Sequence, residues 1–322
     1  MKLAFIIDPI VKLDPGHDTS VAIMEAAQGL GHEVWIAATK EMGVVDGQAY
    51  AYLTPVTLKP VTLGDNRWEA EPDWFSLGER QWRSLGDMDG VFMRTDPPVT
   101  VPYLYATYIL DYVGPNTRVV NAPAGIRAAN EKMYALQFTE AIPPTIVSQD
   151  KAVIKAAVER WGGKAVLKPL GGKGGEGILF LEAGDRNFNS MVEISTHQGI
   201  EPVMVQTYLP EAKDGDKRII LLDGDPIGAV NRIPTGQDFR GNMAVGGRSA
   251  KTEITARERQ ICSQLAPTLQ RDGLIFVGID VIGGYLTEVN VTSPTGIREV
   301  DRLNDVRLGQ SVVNWLAESA GQ

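Results

Sequence analysis

The sequence predicts an α/β fold with more than one domain, and two observations lead to this prediction. The chain has 322 residues, enough for two or three domains. It opens with an apolar strand at 3–7, an amphipathic helix at 19–30 and a second strand at 33–38. This βαβ order is typical of a parallel sheet whose functional edge lies at the carboxyl ends of the strands.

The remaining elements of the first domain follow the same pattern as far as residue 126. A strand is predicted at 89–93, a helix at 103–113 and a strand at 118–120. The segment 43–85 holds β-like pieces at 49–54 and 57–63 and three tryptophans, and the pattern does not place it.

The second half of the chain alternates short helices with strands. A helix at 130–139, with Asn130 as a plausible N-cap, opens this half. Further helices are predicted at 151–161, 187–197, 255–271 and 306–317. Strands are predicted at 145–148, 165–170, 178–182, 202–208, 218–222, 227–233, 274–281 and 285–291, with a long loop at 235–250.

Composition excludes several classes of function. The net charge of −9 argues against a general nucleic-acid binder, which needs a broad basic surface. No apolar run approaches the length of a membrane span. The single cysteine, Cys262, cannot form a disulfide within the chain and reads as a small core residue. We expect a cytoplasmic protein.

The hairpin at 274–291 carries three oxygen donors, Asp280, Glu288 and Asn290. Glu288 and Asn290 are two apart and share a face of their strand. A three-residue loop (283–285) would pair Asp280 with Glu288, whereas a two-residue loop would turn it away; we favour the three-residue loop. Such oxygens suit Mg²⁺ bound beside nucleotide phosphates. An ordinary hairpin with solvated acids is an equal alternative on spacing alone.

The segment GGKGGEG at 171–177 holds five glycines between two predicted strands. A dinucleotide fingerprint would lead into a helix, so we predict instead a flap whose backbone N–H groups close over phosphates. A plain hairpin turn would need only one or two glycines.

Basic residues accompany these motifs. Lys168 lies on an apolar strand, where a buried charge needs a partner such as a phosphate, although it could reach solvent at a strand edge. Lys132 opposes the dipole of its predicted helix, so an anionic ligand would explain it, although a solvated surface lysine is the simpler interpretation. Arg232, Arg240 and Arg248 lie in or beside the long loop predicted at 235–250, and Arg218 begins a strand that precedes it. Together these arginines suggest an anion-binding lid, with a disordered surface loop and solvated charges as the alternative.

Other chemistries lack their motifs. The three histidines, His17, His32 and His197, show neither zinc-protease nor triad-like spacing. The chain also lacks the phosphate-binding GxxxxGK[ST] and the nucleophile motif GxSxG.

These motifs together resemble the ATP-grasp superfamily and, within it, the bacterial glutathione synthetases. The resemblance spans nearly the whole chain and rests on IIDPI (6–10), MRTDPP (93–98), YATYIL (105–110), NEK (130–132), LKPLGGKGGEG (167–177), YLP (208–210), KDGDKR (213–218), RIPTG (232–236), RGN (240–242), GGR (246–248), GLIFVGIDVIG (273–283) and TEVNVTSPTGIRE (287–299).

The resemblance implies an N-terminal parallel-sheet (pre-ATP-grasp) domain at 1–126 and a two-lobed ATP-grasp domain at 127–322. Its central lobe would span about 140–210 and its C-terminal lobe 211–322. The implied reaction joins γ-glutamylcysteine to glycine with ATP and Mg²⁺ (or Mn²⁺), through an acyl phosphate. The family also implies a homo-oligomer, with a tetramer suggested, and no nucleic-acid or membrane partner.

The resemblance further implies roles for individual residues. The implied ATP-binding residues are Lys132, Lys168, Gly172, Lys173, Gly174, Gly175, Gln206, Tyr208 and Leu209. The implied metal ligands are Asp280, Glu288 and Asn290, and the implied catalytic arginines are Arg218, Arg232 and Arg248. Residues 233–248 would form a mobile loop that shields the intermediate from water.

The chain differs from the family pattern at Gly171, at Lys173 and Glu176 in the flap, and at Gly296. Three alternatives to the implied function remain open at this point. Another ATP-grasp ligase, of the D-alanine:D-alanine or glutamate-adding type, would keep the chemistry and change the substrates. A non-catalytic ATP-binding regulatory protein would lose a metal ligand, and a small-molecule kinase would make ADP without a peptide.

Overall fold

The computed structural model describes residues 1–172, 174–235 and 247–319. Within them the helices are α1 (Thr19–Gly29), α2 (Val101–Leu110), α3 (Pro123–Ala128), α4 (Lys151–Arg160), α5 (Phe188–Ser195), α6 (Ala256–Arg271), α7 (Ile297–Asn304) and α8 (Leu308–Ser319). The strands are β1 (Lys2–Ile6), β2 (Glu33–Ala37), β3 (Met42–Val45), β4 (Gln48–Leu58), β5 (Thr62–Leu63), β6 (Trp68–Glu69), β7 (Phe75–Leu77), β8 (Gln81–Ser84), β9 (Gly90–Met93), β10 (Arg118–Val120), β11 (Thr145–Ser148), β12 (Lys164–Pro169), β13 (Leu179–Glu182), β14 (Val203–Thr207), β15 (Asp216–Leu222), β16 (Asp225–Ile233), β17 (Arg248–Lys251), β18 (Phe276–Ile282) and β19 (Tyr285–Asn290).

The predicted parallel sheet of the first domain is confirmed. Strands β10, β9, β1 and β2 lie side by side in that order, and each neighbouring pair is parallel. The residues of β1 from Leu3 onward are buried, as expected for a strand covered on both faces. The loops at the carboxyl ends of β1 and β9 meet, because the Asp96 N–H donates to Asp8 Oδ2 over 2.9 Å.

The unplaced segment 43–85 extends this sheet with antiparallel strands. The long strand β4 pairs with β2, β3, β7 and β8. Two of the remaining strands, β5 and β6, have only two residues each and pair with one another. Runs this short carry too little alternation to be recognised from sequence.

The second half of the chain forms two antiparallel sheets. One sheet has the order β11-β14-β12-β13 and the other the order β17-β16-β15-β18-β19. On the second sheet, α6 contributes Ile261, Leu265 and Leu269 to a core shared with the strands. Cys262 lies in the same core, and burial raises the pKa of its thiol to about 11, in keeping with a packing role.

Buried polar side chains join the first domain to the second half. Asn121 donates through Nδ2 to the carbonyl oxygens of Phe276 (2.9 Å) and Val291 (2.8 Å), and its Oδ1 accepts from the Phe276 N–H (2.7 Å). Arg94 donates to Ser20 Oγ over 3.1 Å and to the Pro294 carbonyl over 2.9 Å. The hairpin β18–β19 is therefore held against the loops of the first domain.

Three parts of the second half of the chain differ from the prediction. The predicted helix at 130–139 is wrong: a 3₁₀ turn spans Met133–Gln137, although Asn130 Oδ1 does accept from the N–H groups of Lys132 and Met133. Helix α7 was not predicted, because Pro294 and Gly296 just before it suggest a turn. The predicted loop at 235–250 ends in strand β17, and residues 236–246 lie outside the described residues.

No helix in the described parts of the chain is both long enough and apolar enough to cross a membrane.

Candidate active site

The hairpin β18–β19 brings Asp280 opposite Glu288, as predicted, but by a different turn. The loop has two residues, Gly283 and Gly284, both at positive φ, which only glycine adopts readily. The extra residue is Thr287, a bulge in β19 whose hydroxyl donates to the Asp280 carbonyl over 3.2 Å. The bulge restores the pairing that a two-residue loop alone would have lost, so the predicted loop length is wrong and the predicted pairing is confirmed.

The same sheet face gathers charges from four strands. In the register of the sheet, Arg218 on β15 lies opposite Asp280 on β18, and Asp216 lies opposite Arg232 on β16. Asp216 and Arg218 are two apart on β15 and so point to one face. Together with Glu288 they form what we call the charged face, comprising Asp216, Arg218, Arg232, Asp280 and Glu288.

Asp280 is the centre of the charged face and is held by both arginines. Arg218 donates to it through Nε (2.6 Å) and a terminal nitrogen (3.0 Å), and Arg232 approaches it at 2.9 Å. Arg232 also contacts Asp216 at 2.5 Å. All four side chains are buried. Burial alone would raise the pKa of Asp280, but the two guanidinium groups outweigh it and hold that pKa below its ordinary value.

Asp216 completes this cluster and was not singled out from sequence. Burial raises its pKa to about 6, although Arg232 opposes the shift. Burial would lower the pKa of the Arg232 guanidinium, but the carboxylates of Asp216 and Asp280 outweigh it and raise that pKa above its ordinary value. The alternation of Asp216 and Arg218 was visible in the sequence, but their partners depended on strand register.

Two lysines lie close to the charged face. Lys132, only 4% exposed, contacts Glu288 Oε1 at 3.0 Å and donates to the Gly172 carbonyl at 2.8 Å. Lys168 donates to Gln206 Oε1 at 2.7 Å, and burial lowers the pKa of its amine. Both lysines therefore point their charge into the site, and neither is the solvated lysine of the simpler interpretation.

The glycine-rich segment joins two paired strands, as the flap prediction required. Strands β12 and β13 are antiparallel neighbours, and the segment spans the gap between them. Gly174, Gly175 and Gly177 all have positive φ, a backbone conformation that other residues adopt at a cost. Lys173 lies outside the described residues.

A first cavity lies between the two sheets and collects most of the predicted ATP-binding residues. Its lining includes Lys132, Lys168, Gly172, Gly174, Gly175, Gln206, Tyr208 and Leu209, with the apolar side chains of Val166, Ile178 and Ile282. Apolar walls with a few polar groups suit a planar base, and the lysines and glycines suit phosphates.

A second cavity, of about 500 Å³, opens on the other side of the charged face. Its lining includes Arg218, Arg232, Glu288 and Asn290, together with His17, Asp96, Gly296 and Glu299. Gly174, Glu176 and Glu288 belong to the linings of both cavities, so the two spaces meet there. A group transferred between ligands in the two cavities would pass beside the charged face.

The oxygen donors on the hairpin suit a hard divalent cation. Asp280 and Glu288 are opposite in register, and Asn290 donates through Nδ2 to Asp280 Oδ2 over 3.3 Å, so the three side chains are neighbours. Among the described residues no three His, Cys, Asp or Glu side chains alone could hold a metal, so a site here would need the Asn290 amide oxygen and ligand phosphates. That donor set fits Mg²⁺, which takes few protein carboxylates.

The third predicted arginine lies apart from the other two. Arg248 begins the edge strand β17, is exposed and does not line either cavity. Its role stays a prediction.

Sequence reasoning also missed Glu131, which buttresses the end of the hairpin. Its Oε1 accepts from the N–H groups of Val291 (2.9 Å) and Thr292 (3.1 Å) and from the Thr292 hydroxyl (2.8 Å). Burial and the nearby Glu288 raise the pKa of its carboxyl. The only sequence signal for it was its place in the NEK motif.

Comparisons with known structures agree on the fold. The chain is similar to the ATP-grasp ligase PsnB complexed with minimal precursor, Mg and ADP, with a TM-score of 0.62 and 16% identity, covering 99% of this chain and 98% of that one. It is also similar to the macrocyclase MdnC from Microcystis aeruginosa, with a TM-score of 0.65 and 14% identity, covering 99% and 100%. At these identities the likeness concerns the fold alone.

Sequence comparisons are more specific. The glutathione synthetase of Synechocystis sp. is 66% identical over 317 residues, which is 98% of this chain and 99% of the relative. That of Nostoc sp. is 67% identical over 320 residues, covering 99% and 98%. The family model for the N-terminal domain of prokaryotic glutathione synthetase matches residues 1–127, and the model for its ATP-grasp domain matches 131–305. The chain belongs to the prokaryotic glutathione synthetase family.

Proposed function

We propose that this chain is the ATP-dependent ligase that joins γ-glutamylcysteine to glycine, forming glutathione, ADP and phosphate. The observation that carries the proposal is the charged face between two meeting cavities. One cavity suits a nucleotide and the other a small anionic peptide, and Arg218, Arg232, Asp280 and Glu288 lie between them. Family membership supports the choice of substrates.

The reaction needs positioning and charge neutralisation more than a protein nucleophile. A carboxylate oxygen of the dipeptide's cysteinyl end attacks the γ-phosphorus of ATP, ADP leaves, and an acyl phosphate forms. The glycine amine then attacks the acyl carbon, phosphate leaves with the former carboxylate oxygen, and the amine loses a proton to solvent. Arg218 and Arg232, which line the second cavity, would orient the carboxylate and stabilise the charge on the transferred phosphoryl group.

The lysines and the glycine loop would hold the nucleotide. Lys132 and Lys168 lie at the first cavity, where their charges would neutralise phosphate oxygens. The backbone N–H groups of Gly174 and Gly175 would supply further donors. Lys173, which lies outside the described residues, is proposed as a further ATP-binding residue. Gln206, Tyr208 and Leu209 would contact the base.

A Mg²⁺ ion would be held by Asp280, Glu288 and Asn290. It would supply charge neutralisation for the phosphates of ATP, and Mn²⁺ offers the same chemistry. The protein cations that now contact these ligands, Arg218, Arg232 and Lys132, would then be released to bind the substrates' anionic oxygens.

An omission assay tests the function. ADP release is followed with Mg-ATP, γ-glutamylcysteine and glycine, each left out in turn, and the product is weighed by mass spectrometry. We expect ADP only with both amino-acid substrates and a tripeptide of the mass of glutathione. ADP without a tripeptide would indicate a kinase, and turnover only with other amino acids would indicate another ATP-grasp ligase.

We further propose that the protein acts in the cytoplasm as a homo-oligomer, without nucleic-acid or membrane partners. Its net charge of −9 and its single, buried cysteine support this setting. An exposed apolar stripe on and after α2, formed by Val101, Tyr105, Tyr108 and Tyr112, offers a contact between copies. Light scattering on the purified chain measures the assembly, and a monomer at micromolar concentration would contradict it.

The domain limits remain a proposal as well: a first domain at 1–126, a central lobe at about 140–210 and a C-terminal lobe at 211–322. Several contacts cross these limits, among them the packing of α8 against α1 and the hydrogen bonds of Asn121 to Phe276 and Val291. Limited proteolysis with mass spectrometry of the fragments tests them, since cleavage concentrates where few contacts cross.

A further inference from the structure

A pair of opposite charges, which we call the outer pair, lines both the second cavity and a neighbouring surface cavity. His17 belongs to the loop before α1, and Glu299 to the first turn of α7. Their Nδ1 and Oε1 atoms are 2.5 Å apart, across 282 residues of sequence. Both side chains line the second cavity, the one that also holds Arg218 and Arg232.

Glu299 keeps one carboxylate oxygen for a further partner. The residue is only 8% exposed, and its Oε2 has no hydrogen-bond partner among the described residues. A buried carboxylate oxygen without a donor is costly, so such atoms usually serve a ligand or a mechanism. Because Glu299 lines the cavity, a ligand there could supply the missing donor.

His17 supplies the positive partner of the pair. Its hydrogen bond to Glu299, together with the charges of Glu299, Asp14 and Asp18, raises the pKa of the imidazole, while burial opposes this. Of the described residues that line the second cavity, the others with basic side chains are Arg218 and Arg232, which contact Asp280 and Asp216. Arg298, next to Glu299, is already committed to Glu25. Of the described basic residues that line this cavity, His17 is therefore the one in contact with Glu299.

We propose that Glu299 and His17 recognise the free α-amino-acid end of the peptide substrate. Glu299 Oε2 accepts a hydrogen bond from the α-ammonium group, and His17 donates through Nε2 to the α-carboxylate. The inference rests on the proposed function, since γ-glutamylcysteine carries such a zwitterionic group at the end opposite its reacting carboxylate. One acid and one base side by side match a zwitterion in charge.

Glycine carries the same two groups, so the test must separate the two substrates. It uses the full chain with Glu299→Gln and His17→Gln. Steady-state KM values are measured for γ-glutamylcysteine, glycine and ATP. Two analogues complete the set: glutarylcysteine, which lacks the α-ammonium group, and 4-aminobutyrylcysteine, which lacks the α-carboxylate.

We expect Glu299→Gln to raise the KM for γ-glutamylcysteine on the order of 10- to 100-fold, because a charged hydrogen bond is lost. Its KM for glutarylcysteine should match that of the parent, as should those for ATP and glycine. His17→Gln should likewise raise the KM for γ-glutamylcysteine and leave the KM for 4-aminobutyrylcysteine equal to that of the parent. Glu69→Gln, an acid beside a neighbouring surface cavity that does not line this one, is the matched control and should leave every KM unchanged.

The opposite outcomes are equally distinct. The assignment would be overturned if the variants preferred γ-glutamylcysteine over both analogues as strongly as the parent does. A selective rise in the variants' KM for glycine would also overturn it. If the parent makes no tripeptide, the proposed function has failed; calorimetric titration of γ-glutamylcysteine into parent and variants then tests the recognition separately. Thermal unfolding identifies a variant that is merely misfolded, and His17→Gln, in a half-exposed loop, provides the second test.

Discussion

Two groups of charged residues at the second cavity differ in how their charges are compensated. At the charged face, Asp280 contacts two arginines and Arg232 contacts two acids, all buried. In the outer pair, His17 and Glu299 contact each other, and Glu299 Oε2 has no hydrogen-bond partner among the described residues. The acids and arginines of the charged face neutralise one another, although Asp216 Oδ1 and Arg232 Nε also lack a partner among the described residues. We infer that the charged face supports both fold and chemistry, whereas the outer pair serves recognition.

The largest expected effect comes from the hairpin acid closest to both cavities. Glu288→Gln removes one anionic oxygen donor and should lower kcat for ADP formation by roughly a thousandfold or more. The fold should survive, because Glu288 is only partly buried. Turnover is measured by ADP release and the fold by circular dichroism.

Glu182→Gln is the matched control, since that acid forms an exposed pair with Lys164 on the outer strand of the other sheet. It should leave kcat unchanged. A Glu288→Gln enzyme that works within a few-fold of the parent would remove Glu288 from the metal site.

Breaking the charged face should also cost stability. Arg232→Ala leaves Asp216 and Asp280 with one fewer partner in a buried site, so the free energy of unfolding should fall by about 3–5 kcal/mol. Urea unfolding measures it, with the exposed Arg259→Ala as control. A loss below about 1 kcal/mol would mean that the cluster does not support the fold.

Helix α7 allows its structural acid to be separated from its recognition acid. Asp301 accepts from the Leu308 N–H over 2.8 Å, and burial raises the pKa of its carboxyl to about 6, partly opposed by that bond and by Arg298. Because the folded state binds this proton more tightly than the unfolded chain, its contribution to stability falls as pH rises from about 4 to about 6.

Asp301→Asn keeps an acceptor and removes the charge. It should therefore stabilise the protein by about 1–3 kcal/mol at pH 8 and leave it unchanged below pH 4. Urea unfolding at both pH values checks this, with the exposed Asp305→Asn as control. An equal effect at both pH values would exclude titration of Asp301 as the cause.

The smallest effect is expected at Arg248, which lies outside the charged face. Arg248→Ala should lower kcat about tenfold and leave the KM for ATP and the stability unchanged, because the residue is exposed. A rise in the KM for ATP that matches the loss of kcat would place Arg248 at the nucleotide instead.

The sequence predicted the features that depend on local pattern. Residue spacing alone predicted that Glu288 and Asn290 share a strand face and that two strands flank the glycine segment. It also predicted the pairing of Asp280 with Glu288, although the predicted loop length was wrong. The bulge at Thr287 explains this, since it adds to β19 the one extra residue that the predicted three-residue loop would have supplied.

Features that depend on contacts between residues far apart in the sequence could not be predicted from it. The partnership of Asp216 with Arg232 follows from the register of β15 and β16, and that of His17 with Glu299 joins opposite ends of the chain. The 3₁₀ turn at Met133–Gln137 kept the capping residue of the predicted helix but not its length. Tertiary packing decides such cases, and a single sequence does not record it.

The most direct test of the account follows the carboxylate oxygens of the peptide. γ-Glutamylcysteine labelled with ¹⁸O in its cysteinyl carboxylate is converted with Mg-ATP and glycine, and the released phosphate is analysed by mass spectrometry. Attack on the γ-phosphorus beside the charged face predicts one ¹⁸O in each inorganic phosphate and none in ADP. Unlabelled phosphate, or label in AMP, would contradict the acyl-phosphate route and with it the role assigned to the charged face.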